Sequence, residues 1–132
     1  MSPELDAQLV AKYPKIFADR NEDPTKTAMC FGFECGDGWY NIIDALCEEI
    51  QRCLDYDSDL EQVVAFQVKE KYGSLRFYTN TGNDTIFAMI DLAETLSERT
   101  CEVCGAPGKL REGGWIRTLC DEHAEQRPLI GS

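Results

Sequence analysis

Three stretches of the chain place apolar residues at helical spacing, and two place them in alternation. In residues 4–13, Leu5, Leu9, Val10 and Tyr13 share one face of a 3.6-residue period, which predicts a short helix that Pro14 ends. The next segment is rich in Asp, Asn, Pro and Thr and reads as a connector anchored by Ile16 and Phe17. From Trp39 to about Leu54, apolar residues fall at 39, 42, 43, 46, 50 and 54, an amphipathic helix for which Asp37 is the expected N-cap. Cys47 and Cys53 lie beside that stripe and need no chemistry, because a buried thiol packs as a small hydrophobe. A third helix is expected over 85–98, with Ile86, Met89, Ile90, Ala93 and Leu96 facing inward. Phe87 and Leu92 widen its apolar band and predict burial against both a sheet and another helix.

Residues 63–68 and 74–79 read as two strands joined by Lys69–Gly73, a connector short enough for an antiparallel hairpin with Gly73 at positive φ. Alternation assigns Val64, Phe66 and Val68 to one face and Val63, Ala65 and Gln67 to the other. Residues 29–35 read as a short strand or an ordered loop.

The chemistry concentrates after residue 100. Cys101-x2-Cys104 is followed by Gly105, fifteen residues lead to Cys120, and Cys120-x2-His123 supplies a second close pair. Between the pairs, Lys109–Arg111 and Trp115–Leu119 form a ribbon turned at Glu112-Gly113-Gly114, which brings four soft and borderline ligands together. A structural zinc ion is the reading this spacing favours, and four protein ligands leave no open position for activated water. A redox Cys-x-x-Cys, unligated core cysteines and an iron site are the alternatives. Redox chemistry wants the pair at a helix start, whereas Gly-Ala-Pro-Gly follows this one, and a histidine ligand makes iron a weaker choice. Trp115 is expected to lock the ribbon onto the rest of the protein, with Leu129 and Ile130 as further anchors.

The fold expected is therefore α+β: a small antiparallel sheet packed with two or three helices, followed by a zinc-ribbon-like hairpin. Residues 1–100 form an acidic α+β domain in this reading, and residues 101–132 a module packed against it.

Composition narrows the function. Thirteen Lys and Arg against 24 Asp and Glu give a net charge of -11, which argues against direct binding to nucleic-acid phosphates. Seven cysteines, an odd number, with no basic-flanked apolar leader and no apolar run of bilayer length, favour reduced thiols and a cytoplasmic protein. Between residues 44 and 61 seven acids face Arg52 alone. Glu48, Glu49, Asp55, Asp57, Asp59 and Glu61 are candidates for contact with a basic partner surface, set against the plainer reading of a solvated face. The glycine and terminal glutamate of a calcium loop are missing there. Lys69, Lys71, Arg76 and Trp115 are secondary contact candidates, and Lys109, Arg111 and Arg117 would join the three basic residues in a nucleic-acid-binding alternative.

The lone histidine is spent on the metal, and no triad, phosphate loop or deaminase His-x-Glu remains. Asp37, Asp84 and Asp121 are conceivable catalytic acids, but nothing in their spacing selects them, so catalysis is the weaker alternative.

Three segments carry a resemblance: Asp37-Gly38-Trp39-Tyr40, the run Lys69-Glu70-Lys71-Tyr72-Gly73-x-Leu75-Arg76-Phe77-Tyr78, and the terminal CxxCGxPG…GWxxTLCxxH. Together, over roughly residues 10–123, they make the chain similar to small proteins of bacteria and their phages. That resemblance implies a phage-borne or mobile-element accessory protein, with no activity or catalytic residue to carry over. The expected function is a non-catalytic interaction module, an inhibitor acting on a basic surface of a host nucleic-acid-processing or defence protein. The sequence leaves monomer and homodimer equally open.

Overall fold

A computed structural model describes residues 1–124; Leu129 and Ile130 lie outside the described residues. The order is α1 (Pro3–Lys12), β1 (Phe33–Glu34), α2 (Tyr40–Tyr56), β2 (Ala65–Lys71), β3 (Ser74–Thr79), α3 (Asp84–Ser97), β4 (Lys109–Arg111) and β5 (Arg117–Leu119). Two 3-10 turns, Ala28–Phe31 and Asp37–Trp39, flank β1. This is a small α+β domain with a C-terminal ribbon.

Ser2 caps α1 with its hydroxyl on the Leu5 amide, and the helix ends before Pro14, with Leu9 and Tyr13 buried. Helix α2 buries Ile43, Leu46, Cys47 and Ile50. Asp37 does not cap it. Asp37–Trp39 form their own 3-10 turn, and the Asp37 carboxylate instead accepts the Ser2 amide at 2.7 Å. Asn83 caps α3 by accepting the Ile86 amide at 2.9 Å.

β2 and β3 pair antiparallel, and β1 joins the other edge of β2 in parallel, with Phe33 opposite Val68. The hairpin is tighter than the sequence suggests. Strand β2 runs through Lys71, and the turn is Tyr72-Gly73 alone, both at positive φ, as a primed two-residue turn requires. A bulge between Ala65 and Gln67 also breaks the alternation. Val63, Ala65 and Val68 consequently face the core while Phe66 turns out and stacks on Tyr78 with ring centroids 5.8 Å apart.

The core runs between the sheet and α2 and α3, with Trp39, Phe17, Ile43, Ile50 and Leu75 fully enclosed. Helix α3 also seals the exposed edge of β3. The Leu75 amide donates to Ser97 Oγ at 2.8 Å and the Phe77 amide to Glu94 Oε2 at 3.2 Å, so this edge offers no free donors there. Phe87, Leu92 and Leu96 are corrections: all three are exposed, because a narrower helix face is enough to cover α2 and the sheet edge.

Candidate metal centre and acidic face

The chain leaves α3 at Ser97 and folds back on itself at once. Thr100 bridges to Pro107, the Cys101 amide donates to Ala106 O at 2.7 Å, and the Gly105 amide to Cys101 O at 2.9 Å. Gly105 has φ +83, which only glycine adopts without cost, so the turn wraps tightly around the two thiols. Strands β4 and β5 then pair in register, Lys109 with Leu119 and Arg111 with Arg117, and deliver Cys120 and His123 to the same place.

The four ligand atoms of Cys101, Cys104, Cys120 and His123 lie within 4.8 Å of one another. Cys104 Sγ and Cys120 Sγ are 3.8 Å apart, Cys101 Sγ and His123 Nδ1 3.7 Å, and Cys120 Sγ and His123 Nδ1 3.2 Å. A tetrahedron with zinc-like bonds has S–S edges of about 3.8 Å and S–N edges of about 3.6 Å. The donor set and its size therefore fit a structural metal site of the zinc type.

Electrostatics agree with the geometry. Burial pushes the Cys101 thiol up, but backbone hydrogen bonds at Cys120, Cys104 and Val103, with the Cys120 side chain, outweigh it and lower the pKa to about 6. Cys104 shifts the other way: the Ala106 amide favours its thiolate, yet burial and the two neighbouring thiols disfavour it more. Several thiolates in so small a space repel one another, and a dication removes that conflict. Cys35 and Cys47 make the contrast. Burial lifts Cys35 to about 12 and Cys47 well above its ordinary value, so both are packing groups.

Two residues, Glu102, which the sequence did not single out, and Arg111, which it offered only as a nucleic-acid contact, hold the centre in place. Glu102, between the first two cysteines, accepts the Gly36 amide on Oε2 at 2.9 Å and the Gly38 amide on its carbonyl at 2.8 Å. Its carboxylate also meets Arg117 at 3.6 Å, and burial raises its pKa against those contacts. Arg111 is 7% exposed; its guanidinium donates to Leu119 O and pairs with Asp121 at 2.7 Å, bracing the turn that carries Cys120 and His123. A buried arginine in a ribbon is visible in sequence only as a charge.

The ribbon is sewn to the body at two further points. Trp39 Nε1 donates to Thr100 O at 2.9 Å, and Thr118 Oγ1 donates to Gly73 O at 2.6 Å. Trp115, expected to lock the ribbon, is 66% exposed.

The acidic candidates divide. Glu48 and Glu49 are paired with Arg52 at 3.6 and 2.7 Å, and Asp55 accepts a hydrogen bond from Gln51 Nε2. Asp57 accepts the Asp59 amide, shaping the loop after α2. Asp55, Asp57, Asp59 and Glu61 are exposed, and none has an ion pair among the described residues. Asp44, the remaining acid of this helix, is taken by Lys12 and Tyr13.

Three of the six basic candidates, the arginines, are committed within the chain. Arg76 lies 3.9 Å from Glu94, Arg117 pairs with Glu102, and Arg111 is buried. Lys71 sits over the Tyr72 ring at 5.8 Å, and Lys109 is exposed. Asp37, Asp84 and Asp121 serve separate local tasks: one accepts the Ser2 amide, one lies in the first turn of α3, and one pairs with Arg111. No helix among the described residues is long and apolar enough to cross a membrane.

No family model matches the chain, and neither a curated protein nor a solved structure does, so its function is argued from its own geometry.

Proposed function

We propose that the chain is a non-catalytic interaction module in which Cys101, Cys104, Cys120 and His123 hold one structural zinc ion and the acidic face at the end of α2 and in the loop that follows meets a basic protein surface. The observation that carries the binding reading is the group Asp55, Asp57, Asp59 and Glu61, exposed together and without an ion pair among the described residues. Solvated carboxylates of this kind accelerate and orient encounter with a basic partner more than they hold it. The commitment of Arg76, Arg111 and Arg117 to internal carboxylates and carbonyls weighs against direct nucleic-acid binding, which needs those charges free.

The resemblance to phage and bacterial accessory proteins extends the proposal to a setting. There the basic surface belongs to a host protein that processes nucleic acid or defends the cell, and the module inhibits by covering it. In the metal centre the ion would supply folding energy, while Glu102 and Arg111 orient the two loops that carry the ligands.

Affinity capture from host lysate tests the binding reading. The full chain should retain a basic protein in a salt-sensitive manner. The variant carrying D55K, D57K, D59K and E61K should lose that protein while melting at the same temperature. Equal capture by the two proteins overturns the assignment to this face. For the metal, elemental analysis should find about one zinc per chain.

A further inference from the structure

Helices α2 and α3 enclose between them an apolar groove of about 160 Å³. Its walls include Ile42, Leu46 and Glu49 of α2 and Met89, Leu92 and Leu96 of α3. Leu92 is 59% and Leu96 43% exposed, so two large apolar side chains stand at its rim in solvent. Nothing among the described residues accounts for them, since Ile86, Ile90 and Ala93 already complete the contact of α3 with the core.

We propose that this groove is the seat of a basic amphipathic helix from a partner protein. The inference rests on the reading of the chain as a binder of basic proteins and names the element that is bound. Two features of the groove select a helix. Only Glu49 among its walls carries a charged or polar side chain, so an extended peptide laid there would bury amide groups with almost no acceptor or donor to meet them. A helix satisfies its backbone internally and presents only side chains. The groove also spans Ile42 to Glu49, two turns of α2 or about 10 Å, which matches apolar anchors at i, i+3 or i+4, and i+7.

Charge selects the sign of that helix. Of the carboxylates on α2 and α3, Asp44 is taken by Lys12, Glu48 and Glu49 share Arg52, and Glu94 lies near Arg76, which leaves Asp55, Asp84 and Asp91 without an ion pair among the described residues and no unpaired base on either helix. Lysines and arginines flanking the apolar stripe of an incoming helix extend several ångströms and reach such a field from the groove's edges. A second copy of this chain is disfavoured as the occupant, because it would bring the same acidic helices and a further charge of -11.

The probe is a fluorescein-labelled peptide of about 18 residues, built only from leucine and lysine with leucine at i, i+3, i+4 and i+7 spacing. Its control has the same composition with the leucines placed without period. In about 150 mM salt, fluorescence anisotropy should show the periodic peptide binding the zinc-loaded full chain at least about tenfold more tightly than the control. The variant carrying L92D and L96D, two exposed positions, should bring the two peptides to equal affinity. The loop variant D55K, D57K, D59K and E61K should weaken both peptides and keep the ratio, which separates failure of the groove from failure of the acidic-face reading. Equal binding of the two peptides to the wild-type chain overturns the proposal without any variant. So does a preference that survives L92D and L96D in a protein with unchanged circular dichroism, or a wild-type dimer in sedimentation that those substitutions dissociate.

Discussion

The body and the ribbon of this protein are held together by different means. The body encloses large apolar side chains from Leu9 through Trp39 and Ile50 to Ile90 in one continuous core. The ribbon's own core is Cys101, Leu119 and Cys120, with Ala106 against it, and two of those four residues belong to the candidate metal site. Apolar burial contributes roughly 1.5–3 kcal/mol per large side chain, so the body can stabilise itself and the ribbon has almost nothing to bury. What the ribbon has instead is a ligand set and hydrogen bonds to the body at Gly36, Gly38, Trp39 and Gly73. In the proposed reading, metal and docking stand in for a core.

The largest effect should follow chelation. Structural zinc sites in small domains contribute on the order of 10 kcal/mol of apparent folding free energy at neutral pH. Removing the ion should abolish amide protection in β4 and β5 while β2, β3 and the centre of α2 retain theirs, as hydrogen exchange with and without chelator will read. Retained protection in the ribbon after complete metal removal would erase the contrast between the two regions.

Gly38→Ala should come next, and it acts on the seam between the regions. A Cβ at this position would stand 2.0 Å from Cys101 O and 2.6 Å from the Gly105 amide nitrogen, both backbone atoms of the cysteine turn. Neither can move without opening the metal centre. The expected loss is about 3–5 kcal/mol, with weaker metal retention as its second sign. Thermal unfolding together with a competition titration for zinc measures both. Unchanged metal affinity in the Gly38→Ala variant would show that the seam does not couple body and ribbon.

That seam shows where sequence reading stopped. Periodicity located the helices, because a period of 3.6 reports which face is apolar. It could not say what covers the face, so Phe87 and Leu92 read as buried although they are exposed. The ligand spacing made the metal centre legible, since two close pairs joined by a ribbon have one simple closure. Asp37 read as a helix cap, whereas its carboxylate accepts the Ser2 amide and the neighbouring Gly38 amide donates to Glu102 O, and no local rule encodes either distant approach. Strand alternation failed at Phe66 for a similar reason: a bulge is set by the neighbouring strand.

A smaller change sharpens the comparison at the second seam. Thr118→Val preserves side-chain shape and removes the hydrogen bond from Thr118 Oγ1 to Gly73 O, in a site where both groups are buried. A lost bond that leaves a buried carbonyl unmet costs about 1–3 kcal/mol. The loss should appear as faster exchange in β4 and β5 ahead of any change in α1. If the body and ribbon lose stability equally, the Gly73 contact belongs to one cooperative core.

Acid separates the two regions most finely. In the ribbon, protons would compete with a bound metal for its cysteine and histidine ligands, so falling pH should release the ion first. In the body, Asp44 is the group to follow. Burial raises its carboxyl, but hydrogen bonds from Lys12 and Tyr13 outweigh that and hold it below the ordinary 3.8. A carboxyl depressed in the folded state stabilises the protein above its unfolded value and loses that contribution as pH falls through the folded one. Asp44→Asn should therefore cost about 1 kcal/mol at neutral pH, where the charge is lost from both hydrogen bonds. It should also flatten the loss of stability below pH 3.8 without moving the pH of metal release. Unfolding followed by circular dichroism, alongside a zinc-release titration, reads the two events separately. A shift of metal release in the Asp44→Asn variant would tie the acid response of the body to that of the ribbon and deny their independence.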